Sequence, residues 1–129
     1  MTEKQVADQV GKWMKLFQLQ QWEIGLDLKK GSSVEANGEG QVIAFIEPDR
    51  CSQSAVITMA MDNDDEELKN TICHEMIHLL FFEVETLLCA LVGFISDEQI
   101  REVMGELVRG RKEEFVIRME RALRNAIPT

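Results

Sequence analysis

Between residues 3 and 19 the large apolar side chains Val6, Val10, Trp13, Met14 and Phe17 return at intervals of three and four. At about 100° per residue this spacing gathers them on one side of a helix, so the chain predicts an amphipathic opening helix laid on a core. The rhythm then changes. Trp22, Ile24, Leu26 and Leu28 alternate with Glu23, Gly25 and Asp27, the period of two that marks a half-buried strand. Residues 29–40 contain Gly31, Ser32, Ser33, Asn37, Gly38 and Gly40, too dense a set of turn formers for regular structure, and are expected to form a loop. Two β-branched and aromatic runs, QVIAFI at 41–46 and AVITMAM at 55–61, predict two further strands separated by a turn at Pro48-Asp49-Arg50.

The acidic run MDNDDEE at 61–67 lacks the central glycine and the closing glutamate of a calcium loop. It reads instead as a helix start. Asp64 or Asp65 can cap the free amides, and the acids that follow complement the positive end of the helix dipole. The helix continues through LKNTICHEMIHLLFF, with Leu68, Ile72, Met76, Leu79 and Leu80 on its core side. A second apolar helical segment is expected at 83–94, its side chains in the core rather than on a dimer face. Ser96 or Asp97 then caps a last helical region, 98–126, with a break near Gly105 or Gly110. There Val116, Met119, Leu123 and Ile127 form the core-facing stripe. The expected fold class is α+β: an N-terminal helix, a small three-stranded sheet, one long helix carrying HEMIH, and C-terminal helices.

A chain of 129 residues, 45% hydrophobic, suffices for one domain with a core, assigned to 1–129, and is short for two. The net charge of −9 works against affinity for nucleic acid or an anionic membrane. The stretch from residue 101 onward is locally basic, which is ordinary for a solvated helix face. Cys51, Cys73 and Cys89 form no CxxC pair or even disulfide framework. With no signal-like opening and no uninterrupted apolar run of bilayer length, a cytoplasmic protein is expected.

Both histidines of the chain fall within HEMIH, His74 and His78 flanking Glu75. Four residues apart on a helix, the imidazoles stack on one face and can grip a single ion, while Glu75 lies about 100° round, beside its open position. Imidazole with carboxylate in four-coordinate geometry favours Zn²⁺. Cys73 points away and reads as a small buried hydrophobe. Catalytic zinc takes a third protein ligand, and no histidine is left to supply it. The candidates are Glu113, which borders the apolar stripe of the last helix and leads, then Glu98, with Glu102, Glu114 and Cys89 behind them.

The order of elements, with WEIGLDL, AVITMAM, LKNTICHEMIHLLF and, more loosely, EEFVIRMERAL, resembles the zincin metallopeptidases, in particular the small phage- and prophage-type metallopeptidases of the minimal gluzincin kind. The resemblance spans about two thirds of the chain, and the HExxH helix is its specific part. It implies a glutamate on the final helix as third ligand, Glu113 or its neighbour. It also implies that the strand at 55–61 forms the cleft edge on which an extended peptide or protein substrate pairs. The expected reaction is peptide-bond hydrolysis through a zinc-bound water, with Glu75 as general base. No tyrosine and no spare histidine can stabilise the oxyanion, so the zinc, a backbone amide or Arg118 would have to serve. A non-catalytic, zinc-stabilised regulatory or binding module is the competing expectation.

Overall fold

The computed structural model describes residues 1–126. The chain opens with α1 (Glu3–Leu16), whose N-terminus is closed by a capping box: the Thr2 hydroxyl accepts from the Gln5 amide while the Gln5 side chain accepts from the Thr2 amide. Its far end stops because Gln18 turns left-handed at φ 57°. The Leu19 amide then reaches back to the Met14 carbonyl at 2.8 Å, and Gln18 to Lys15 at 3.3 Å, satisfying carbonyls that the helix leaves open.

Five strands follow: β1 (Glu23–Lys29), β2 (Val34–Ala36), β3 (Gly40–Val42), β4 (Ala44–Asp49) and β5 (Ser54–Ala60). The expected loop at 29–40 contains half of a short hairpin, β2 antiparallel to β3, with Gly38 and Gly40 at φ 80° and 77° making the turn that a side chain would strain. The run QVIAFI is divided between β3 and β4. Pro48 and Asp49 are strand residues, and the turn falls at 50–53 with Gln53 left-handed at φ 49°. Proline survives there because β4 is an edge strand. Its missing N–H lies on the same side as that of Ile46, two residues back, which faces away from the sheet.

The sheet order is β1-β5-β4, with β1 parallel and β4 antiparallel to β5. Strand β5 is therefore central, bonded on both sides. This corrects the expectation that it would be the open cleft edge; β4 takes that place. A parallel neighbour needs a crossover, so the hairpin and β4 are laid down before β5 returns beside β1.

Helix α2 (Asp65–Gly93) starts at an Asp64 cap whose carboxylate accepts from the Glu67 amide at 2.8 Å. It runs 29 residues without interruption, absorbing the segment expected as a second helix, since neither Gly nor Pro intervenes before Gly93. By length and composition α2 meets the requirement for a bilayer-crossing helix, although Glu83 and Glu85 divide its apolar run. Helix α3 (Glu98–Ala126) is likewise unbroken at Gly105 and Gly110, the first buried beneath the Arg109 guanidinium.

The core lies where α1, α2 and β5 meet: Val6, Val10 and Trp13 pack with Leu68, Ile72, Met76 and Leu79 over Ala55, Ile57 and Met59, and Val116 enters from α3. Met119 and Leu123 border it as expected, while Ile127 lies outside the described residues. The distal half of the α2–α3 hairpin departs from expectation. All the buried residues of α2 lie at or before Phe81, and beyond it Val84, Leu87, Leu91 and Phe94 are exposed rather than core.

Candidate metal centre

The site is formed by two helices and one strand edge. His74 and His78, one turn apart on α2, present their rings at 4.8 Å between centroids, their Nε2 atoms 3.2 Å apart. From the antiparallel helix α3, Glu113 approaches both: Oε1 lies 2.9 Å from His74 Nε2 and Oε2 3.2 Å from His78 Nε2. One donor atom from each of the three residues fits within a mutual separation of 4.8 Å. A tetrahedral ion with donors at about 2.0–2.2 Å needs donor pairs roughly 3.3 Å apart, so the triad is dimensioned for one small cation.

The opposite edge of the His74 ring decides how well the chemistry fits. Nδ1 lies 2.8 Å from Glu120 Oε2. A carboxylate there takes the ring N–H, which leaves Nε2 of the neutral ring with a bare lone pair aimed at Glu113 and His78. Lone pair facing carboxylate is repulsive unless a proton or a metal stands between them. Glu120 is seven residues beyond Glu113, two helical turns, with buried Val116 between them on the same side of α3. Its place is legible only once α2 and α3 are known to pack antiparallel, and sequence reasoning does not include it. Arg124 stands 3.9 Å from its other oxygen.

The charges respond accordingly. Burial pulls His74 downward, but the Glu120 hydrogen bond and the carboxylates of Glu75, Glu113 and Glu120 outweigh it and hold the ring above its ordinary value. Burial keeps His78 below its own, with His74 and Lys112 adding to the effect and Glu113 opposing it. Glu75 is 7% exposed. Burial raises its pKa to about 7, Glu113 and Glu39 push the same way, and His74 and a backbone hydrogen bond with Ile46 offset only part of the rise. A carboxyl group poised near neutrality beside a candidate cation site is suited to carrying a proton in either direction.

These groups open into a cleft of about 750 Å³ between β4 and the two helices. One wall is the end of β3 at Val42 with Ile43 and the edge strand β4 at Ala44, Phe45, Ile46 and Pro48; the floor is Thr71, His74, Glu75, His78 and Phe82; Arg109 and Lys112 rise from α3. At one end Phe82 stacks edge-on against Trp22, whose Nε1 donates to Glu83 at 2.6 Å, fixing α2 against the start of β1.

Of the candidate third ligands, Glu113 is brought to the histidines and the others are not. Glu114 bonds Arg111 and Arg118 on the outer side of α3. Glu98 and Glu102 sit near the far end of the hairpin and do not line the cleft. Cys89 is exposed, whereas Cys73 is buried with its thiol pushed up to about 11, first by burial and then by Glu120, as befits an inert core residue. Arg118, considered as an oxyanion partner, pairs with Glu114 at 2.7 Å and is absent from the cleft lining; the cations there are Arg109 and Lys112. No family model matches this chain, and no match is found among curated proteins or solved structures.

Proposed function

We propose that the protein is a zinc-dependent metallopeptidase of minimal zincin type, with His74, His78 and Glu113 as ligands and Glu75 as general base. The observation that carries this reading is the convergence of the two Nε2 atoms and the Glu113 carboxylate beside a buried carboxyl group, at the mouth of a cleft with an open strand edge. A zinc ion held there would lower the pKa of a water molecule and polarise a scissile carbonyl. Glu75, the neighbour of His74 in sequence, takes up a proton from the attacking water and returns it to the leaving amine.

Strand β4 supplies what an extended substrate needs. Its outer side offers the amide and carbonyl of Ala44 and the carbonyls of Ile46 and Pro48, the Ile46 amide being bonded to Glu75, while Val42, Phe45, Ile46 and Phe82 give apolar surface for side chains. Arg109, on the α3 side of the cleft, is the side chain best placed to meet negative charge developing on the carbonyl oxygen, since Lys112 beside it is paired with Glu85 at 3.4 Å.

A non-catalytic zinc-stabilised module is the second reading, favoured by one specific feature: Glu113 and Glu120 of α3 both engage histidines of α2. A metal at that junction would tie the helices together whether or not it turned over a substrate. The two readings part on activity. Purified protein loaded with Zn²⁺ is expected to cleave members of an unstructured peptide library, and Glu75→Gln to lower that rate by about 10²–10⁴-fold while retaining the metal. Stoichiometric zinc with no cleavage would leave the module reading; cleavage untouched by Glu75→Gln would remove Glu75 as the base.

A further inference from the structure

The basic residues of α3 find partners within the chain along most of its length. Arg101 donates to the Ile95 carbonyl, Arg111 and Arg118 both hold Glu114, and Lys112 reaches Glu85. The C-terminal turns of α3 differ. There Arg121, Arg124 and Asn125, with Glu66, Lys69 and Asn70 from the start of α2, line a groove of about 490 Å³. Lys69 lies about 140° round α2 from His74, so the groove opens away from the metal cleft, and only Asn70 borders both. Lys69 and Arg121 have neither an ion pair nor a hydrogen bond among the described residues. Arg124 stands 3.9 Å from Glu120, at the outer limit of an ion pair. Glu66 is the one acid in the groove, and it pairs with none of the three.

The chain holds 23 acids and 14 bases, so carboxylates are abundant and pairing should be the rule for Lys and Arg. Three cations lining one concavity repel one another, and an anion lodged between them removes that cost. We propose that this groove is a binding site for a phosphoryl group, either free phosphate or the phosphate of a small ester. Charge singles out phosphate. Three cations and one carboxylate leave a positive surplus that a phosphate, at roughly −1.5 to −2 near neutral pH, cancels and a single carboxylate does not. The donors fit as well: each guanidinium fork can take a pair of phosphate oxygens, the Lys69 ammonium supplies a point charge, and the Asn70 and Asn125 amides donate without adding charge. The groove is larger than one phosphate fills and has room for a small organic ester. A nucleic acid fits less well, because the acidic turn from Asp64 to Glu67 and the net charge of −9 would repel a polyanion.

Titration of the full chain, kept in chelator so that phosphate has no metal to ligate, tests this by NMR of the side-chain amides. Sodium phosphate at pH 7 is expected to shift Asn70 and Asn125 saturably, with a Kd of about 1 mM or tighter. Lys69→Gln and Arg121→Gln should each raise that Kd at least about tenfold, with helical circular dichroism unchanged. Glu66→Gln should lower it several-fold by removing the opposing charge, and Arg111→Gln, at an ion pair outside the groove, should leave it where it was. Glycerol 3-phosphate distinguishes the two sources: tighter binding than phosphate assigns the groove to an ester, and equal or weaker binding assigns it to the free anion. Absence of a saturable shift overturns the proposal, as does a Kd indifferent to both Lys69→Gln and Arg121→Gln. Sodium acetate binding as tightly as phosphate would also overturn it, in favour of a carboxylate.

Discussion

The His74 ring is held from both sides by carboxylates of one helix, and this fixes what each glutamate contributes. Glu113→Ala should abolish stoichiometric zinc binding whereas Glu114→Ala should preserve it, as read by metal analysis after gel filtration; equal retention by both would remove Glu113 as a ligand. Glu120 acts through His74 by orienting the ring, so Glu120→Ala should weaken zinc affinity by about 10–100-fold without removing a ligand. Glu75 provides a test independent of catalysis. Its folded pKa, raised to about 7 from the ordinary 4.5, means that the folded chain binds the proton more tightly than the unfolded one. Between those values stability therefore falls as pH rises. In chelated protein Glu75→Gln should be more stable than wild type at pH 8, by up to about 3 kcal/mol, and gain nothing from this source near pH 4. Denaturant titrations at the two pH values measure it; a gain independent of pH would contradict the burial of an ionising carboxyl group.

At the level of elements, periodicity exposes α1, β1 and the start of α2, because each has one face in the core and one in water, whereas β5, central and buried at Ala55 and from Ile57 to Ala60, is legible from its β-branched run instead. Where burial does not alternate, the pattern becomes ambiguous. The segment 83–94 reads as a separate core helix because its composition is apolar, and composition does not say whether anything lies opposite. Breaks at Gly105 and Gly110 are expected from intrinsic propensity alone, yet a helix already held by contacts with α2 tolerates the cost. A Cβ added at Gly110 would meet nothing within 4 Å. Gly110→Ala should accordingly raise stability by about 0.5–1 kcal/mol in thermal melts. A loss would mean that the backbone there is not the regular helix described.

For the whole molecule, the three donors come from helices that begin 33 residues apart and run in opposite directions. A metal bridging them binds the folded chain and not the unfolded one. Zinc at about 1,000 times its Kd should add about 4 kcal/mol to stability, seen as a higher Tm that a chelator reverses. Glu113→Ala should abolish the increment. An unchanged Tm in wild type on adding zinc would show that the junction holds no ion.

Sequence by itself determined the local terms: most of the helical and extended runs, an acid-capped helix start at Asp64 or Asp65, and the His-Glu-His grouping, since a four-residue separation on a helix fixes relative direction without reference to the rest of the chain. It ranked Glu113 first from its place at the border of an apolar stripe, but the stripe does not say what it faces. Tertiary structure decided the terms that depend on neighbours distant along the chain. The parallel pairing of β1 with β5 makes β4 the edge, the antiparallel docking of α3 brings Glu113 and Glu120 onto one imidazole, and the length of the hairpin beyond the core leaves its apolar stripe in water. Each is a matter of which surfaces meet, and hydrophobic pattern records that a surface must be covered without recording by what.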